Sequence, residues 1–110
     1  MTSPLYLIAE IHPDPQKLDG AFAAFADLIS ATKKEQGCLL YDLVIEDDNP
    51  GIWIMLEKWE SKEAWDLHMA SEHVKHMNEI SSNFTVAETV LRFFDSATAE
   101  HFSARVISPQ

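Results

Sequence analysis

Cysteine is almost missing from this chain: Cys38 is the only one in 110 residues. An intrachain disulfide and a cysteine-built metal cluster are therefore excluded, and the usage fits a reducing, cytoplasmic setting. Glycine is nearly as scarce. Gly20, Gly37 and Gly51 stand too far apart to assemble a phosphate-binding loop or a dinucleotide fingerprint. Basic residues are few as well, eight Lys and Arg against eighteen Asp and Glu, for a formal net charge of -10. That sign repels phosphate backbones and anionic lipid, so no nucleic-acid or membrane partner is expected. The early apolar run from Leu5 to Ala9 has no basic flank and is far below the ~20 residues of a membrane span, and no targeting segment is visible. No G-x-S-x-G elbow occurs and Cys38 lies in an apolar run, which leaves nucleophilic catalysis little support.

What is present is enough for one core: hydrophobic residues make up 46% of a single-domain length. L-Y-L-I-A-E-I at 5–11 reads as a strand ended by His12-Pro13. Asp14 before Pro15 reads as a helix cap, with Leu18, Phe22, Phe25 and Leu28/Ile29 at helical spacing. That helix is expected to run to about Glu35, with Gly37 past Lys33 and Lys34 as its stop. C-L-L-Y-D-L-V-I at 38–45 and I-W-I-M-L at 52–56 form a hairpin about the turn D-D-N-P-G at 47–51. Ser61 caps a second helical region with Ala64, Leu67, Ala70, Val74 and Met77 on one face, and Ser71 is a point where it can restart. Residues 84–94 close the series as a fourth strand. The order β-α-β-β-α-β predicts an α+β, ferredoxin-like fold: a four-stranded antiparallel sheet with its helices on one face, over 1–95, followed by a weakly patterned tail at 96–110 that serves as an arm or frays.

A sheet with one wet face should alternate apolar and polar residues, and these strands do not. Trp53 and Met55 oppose Ile52, Ile54 and Leu56, while Leu39, Tyr41, Leu43 and Ile45 oppose Cys38, Leu40 and Val44. Helices cover only one side. A second copy is expected against the other, giving a homodimer through the sheet face.

E-Q-G-C-L-L-Y at 35–41, E-K-W-E-S-K-E-A-W at 57–65 and H-M-A-S-E-H at 68–73, with I-A-E-I at 8–11, resemble the antibiotic-biosynthesis-monooxygenase family in its quinol monooxygenase-like branch. The likeness spans roughly residues 4–95. Glu72 departs from it, because the relatives usually carry proline there. The resemblance implies a dimeric α+β barrel that oxidises a small electron-rich aromatic, quinol- or anthrone-like, with O2 and without a cofactor, metal or flavin. Such chemistry needs one base and an apolar box. Histidine is suited to proton removal near neutral pH. The resemblance points to His68 as the base, in the part of the motif that lines the pocket in relatives, and to His73, the second histidine of the motif, as a further catalytic candidate or one that orients the helix junction. For a flat apolar substrate, Trp53, Met55, Trp59, Trp65 and Met69, with Tyr41, offer an aromatic box; the competing reading of any one of them is an ordinary core residue.

His68, Glu72 and His76 stand at i, i+4 and i+8, but the outer two are about 12 Å apart along a helix, too far for one ion, so no metal site is expected. Glu57, an acid in an apolar strand, needs a partner if buried, and Arg92 is a candidate. Haem degradation, known in the same superfamily, is disfavoured, because Asn78, His68 and Ile11 fall where that branch's haem-ligating histidine, helix tryptophan and first-strand asparagine belong. Two alternatives stand: an isomerase of a small phosphorylated carbonyl signal, for which only Lys62, Lys75 and Arg92 offer cations, and a non-catalytic dimeric barrel that binds a small ligand.

Overall fold

A computed structural model describes residues 3–97, so most of the expected tail at 96–110 lies outside the described residues. The elements are β1 (Leu5–Ile11), α1 (Leu18–Thr32), β2 (Cys38–Glu46), β3 (Asn49–Trp59), α2 (Lys62–Met69), α3 (Glu72–Ile80), a 3-10 turn (Ser81–Asn83) and β4 (Val90–Phe94). The strands pair antiparallel in the order β2-β3-β1-β4. This is the expected ferredoxin-like α+β arrangement, with the second helical region divided in two.

Several boundaries move for local reasons. Asp14 does not cap α1; its carboxylate accepts the Gln16 N–H at 2.9 Å, closing a turn before the helix, and Lys17 takes the cap position without a side-chain bond. At the other end Lys33 is the C-cap, and Gly37 lies in the turn before β2 at φ 91 rather than stopping the helix. The β2–β3 hairpin is tighter than expected. Glu46 pairs with Asn49 across Asp47-Asp48, so Asn49, Pro50 and Gly51 belong to β3. A bulge between Cys38 and Leu40 exchanges the faces at the start of β2. Cys38 sits opposite Trp59, Leu40 opposite Lys58, and Leu39 is exposed. The fourth strand begins only at Val90.

The core lies between the sheet and the helices. Leu7, Ala9 and Ile11 of β1 and Trp53, Met55 and Trp59 of β3 are buried on one side, against Ala21, Phe25 and Leu28 of α1 and Val74 and Met77 of α3. Trp59 and Met55 are almost wholly enclosed, and burial of a side chain of this size contributes roughly 2–3 kcal/mol. The expected face of the second helical region is corrected at Leu67, which is 72% exposed, and at Ala70, also exposed; His68 turns inward instead. Among the described residues no helix is long and apolar enough to cross a membrane.

Candidate functional site

Two serines set the corner on which the site is built. Ser61 caps α2 by accepting the Ala64 N–H at 3.1 Å. Ser71 caps α3, and its hydroxyl also donates to the His68 carbonyl at 2.6 Å, tying the end of one helix to the start of the next. Glu72 follows as the first residue of α3, where an acid favours the helix dipole. The break has a geometric consequence. On one unbroken helix His68 and His73 would point about 140° apart, yet across this corner their ring centroids are 6.0 Å apart. The same break dissolves the stripe of His68, Glu72 and His76.

What joins the two histidines is Glu35, in the turn between α1 and β2. Its Oε2 accepts from His68 Nδ1 at 2.6 Å and from His73 Nε2 at 2.7 Å. An ionised carboxylate has no proton to give, so each imidazole must turn an N–H toward it. This assigns the His68 tautomer and leaves its Nε2 lone pair without a hydrogen-bond partner among the described residues. Burial pulls the His68 imidazole below its ordinary value, against the hydrogen bond and negative charge of Glu35, which favour the proton. His68 is 3% exposed and packs at a tilt against Trp59, centroids 4.6 Å apart, with the Tyr41 ring edge-on at 5.4 Å.

His68 borders a cavity of about 240 Å³ between the sheet and α1, α2 and α3. A cavity of about 150 Å³ accepts benzene, so this one has room for a small substituted ring system. Tyr41, Met55, Trp65 and Met69 line it, as does Glu57. Trp65 is steadied edge-on by Phe93 of β4 at 5.3 Å. Trp53 does not reach the cavity. It packs edge-on to Phe22 and Phe25 and borders a separate hollow with Ile29 and Ile45. His73 also stays outside the cavity lining, where it serves Glu35, and Trp59 lies behind His68 rather than at the cavity wall.

Glu57 does not pair with Arg92. β1 stands between their strands, Arg92 faces the opposite side of the sheet, and it meets Glu10 at 3.2 Å. Trp59 Nε1 donates to Glu57 Oε1 at 3.0 Å. Burial pushes the Glu57 carboxyl up to about 7, against that hydrogen bond, with the charge of Glu35 adding to the rise. Burial, then Glu57, also push the Tyr41 phenol up, and burial with Glu35 raises the Cys38 thiol, the reverse of an activated nucleophile.

Glu35 is the site residue that sequence reasoning missed. It opens the stretch E-Q-G-C-L-L-Y that carries the resemblance, but it lies 33 residues from His68 and nothing in that stretch announces the contact. Glu35, His68 and His73 are also the group whose ligand atoms, all within 4.8 Å of one another, could hold a metal ion. Here the carboxylate oxygen is engaged by both imidazoles.

The family model described as antibiotic biosynthesis monooxygenase matches residues 4–80. The Mycobacterium tuberculosis protein named "Putative monooxygenase Rv0793" is 34% identical over 102 residues, covering 90% of this chain and 100% of that protein. Its solved structure superposes with a TM-score of 0.81 at 25% identity, covering 87% of this chain and 97% of that one. A conserved protein from Methanosarcina mazei Go1 superposes at 0.82 with 28% identity, covering 87% and 95%. From the start of β1 to the end of α3, then, this chain belongs to the antibiotic biosynthesis monooxygenase family.

Proposed function

We propose that the protein oxidises a small electron-rich aromatic, a quinol or an anthrone, with O2. The observation that carries this reading is His68, an imidazole fixed by Glu35 with one nitrogen free, on the wall of an otherwise largely apolar cavity. In the overall reaction one quinol and one O2 give a hydroxyquinone and one water. Four electrons leave the ring and reduce both oxygen atoms, one of which stays on the ring. The substrate is its own reductant, so the scheme asks for no cofactor.

Three tasks remain for the chain: to take the first hydroxyl proton, to keep the anion away from water and to hold O2 against it. His68 Nε2 takes the proton. Its lowered affinity for protons keeps it free near neutral pH, and the Glu35 charge stabilises the imidazolium that forms. Tyr41, Met55, Trp65 and Met69 provide the dry wall. His73 is a positioning residue, acting through Glu35.

A phosphorylated carbonyl fits less well, because no Lys or Arg occurs among the described residues lining the cavity. The reading also includes a homodimer, with a second copy over the open side of the sheet, where Ile8, Leu40, Leu56 and Phe94 line a broad apolar hollow.

The test is O2 uptake with a panel of quinols and anthrones. His68→Ala should lower kcat by about 100-fold or more. If no panel member turns over above background, or the substitution leaves a real rate unchanged, the reading is wrong.

A further inference from the structure

Oxidation by O2 moves more protons than one base accounts for. Once the deprotonated ring has joined O2, the new peroxide needs a proton, and the ring carbon that carries it must lose its hydrogen before the carbonyl forms. A second group, able both to give and to take a proton, has to face the same cavity.

We propose that Glu57 is that group, its carboxyl protonating the peroxide formed on the substrate ring and then, as carboxylate, removing the hydrogen from the same ring carbon. The proposal rests on the oxidation reading above. The step balances. His68 first takes the hydroxyl proton; the quinolate gives its electrons to O2 and a carbon–oxygen bond forms; Glu57 supplies the proton of the hydroperoxide. Glu57 then takes the ring proton, the carbon–hydrogen pair becomes the carbonyl π bond, and the oxygen–oxygen bond breaks. The departing hydroxide takes the proton held by His68 and leaves as water. Both residues end as they began.

The placement comes from the register of the sheet. Glu57 pairs with Leu7 on one side and Tyr41 on the other, all three buried on the helix-covered face, and it lines the cavity that His68 lines. It is 7% exposed. Among the described residues no cation meets it, and the one hydrogen bond it accepts, from Trp59 Nε1, engages Oε1 only. A buried acid held by nothing but an indole is poorly explained by stability, since a carboxylate there is uncompensated. The titratable groups about it are Tyr41 and Cys38 of β2, Glu35 of the α1–β2 turn and His68 of α2. The residues of α1 and α3 at the cavity, Phe25, Leu28, Val74 and Met77, are apolar but for Asn78. With its carboxyl pushed up to about 7, Glu57 is poised to give and regain a proton near neutral pH.

The experiment compares the full-length wild type with Glu57→Gln in O2 uptake on the same quinol and anthrone panel, from about pH 5.5 to about pH 9. Gln keeps an acceptor for Trp59 but carries no transferable proton. The expected result is a fall in kcat of about 100-fold with KM within about twofold, and loss of the wild-type decline in kcat above neutrality. Turnover that Glu57→Gln matches overturns this role alone; absence of turnover by the wild type overturns the oxidation reading and this role with it. Carbon-13 labelling of the glutamate carboxyls in the wild type reads the proton without any variant. One resonance should titrate near neutrality, and titration of all of them in the ordinary carboxylate range overturns the role even if Glu57→Gln fails to fold.

Discussion

Glu57 and His68 are both titratable groups whose charged forms the fold disfavours, and their signs are opposite. The Glu57 carboxyl is raised from 4.5 to about 7, so the folded chain holds a proton that the unfolded chain has lost between those values. Its contribution to stability is full below about 4.5 and is lost as pH rises through 7, by at most about 3 kcal/mol. Replacing it by Gln should therefore stabilise the protein more at alkaline than at acid pH, by roughly 2 kcal/mol between the two ends. Urea midpoints for wild type and Glu57→Gln at pH 4.5 and pH 8.5 check this, and an equal difference at both would contradict a buried neutral acid. His68 has the reverse slope. Its lowered value means that the unfolded chain binds the extra proton, so its share of stability falls as pH drops below about 6.5. Legibility at this scale follows distance along the chain. His68, Met55, Trp65, Met69 and Tyr41 were readable from the motif and from strand alternation, and they converge on one cavity. Trp53 shares a strand face with Met55, but one pleat repeat, about 7 Å, is enough to carry it under Phe22 and Phe25 instead. Glu35 was not readable, because its role exists only once the α2–α3 corner has formed.

Elements were legible where periodicity decides them and less so where single backbone bonds do. The helical spacing of Phe25 and Leu28, and the two capping serines, appear in the structure as expected. The β2 bulge and the Asp14 turn are choices among nearly equivalent local bonds, and tertiary packing makes them. Gly37 shows how such a choice supports the site. At φ 91 it sits where a side chain is strained, and its carbonyl accepts the Glu60 N–H at 2.8 Å, joining the end of β3 to the turn that carries Glu35. An added Cβ would lie 2.7 Å from Ala64 Cβ and 3.2 Å from Glu60 Cγ, pressing on the first turn of the helix that presents His68. Gly37→Ala should cost about 2–4 kcal/mol, from backbone strain and overpacking together, and lower Tm by roughly 10 °C or more. A thermal melt within about 2 °C of wild type would show that this turn yields freely.

For the molecule as a whole, the unresolved imbalance lies on the side of the sheet that the helices leave bare. Tyr6 and Ile8 of β1, Ile54 and Leu56 of β3, Leu40 and Val44 of β2 and Val90 and Phe94 of β4 share that side by register. Leu40, Val44, Val90 and Phe94 are between 38% and 49% exposed. A stable interface takes roughly 800 Å² from each partner, with apolar residues at its centre and charge at its rim. The ion pair of Arg92 with Glu10 and the contact of Lys58 with the Tyr6 ring lie within this apolar field, where a second copy would have to accommodate them. With a net charge of -10 two copies repel at long range, so apolar burial has to outweigh that repulsion, and salt should strengthen the pair rather than weaken it. Light scattering at micromolar concentration should report about twice 12.5 kDa. Leu56→Glu puts a new acid among the apolar residues of the open side on each copy, away from the cavity. It should shift the protein to monomer by about 100-fold or more in the dissociation constant, with its circular dichroism unchanged. A wild type that scatters as a monomer at micromolar concentration would leave that side facing water, and the dimer would have to be abandoned.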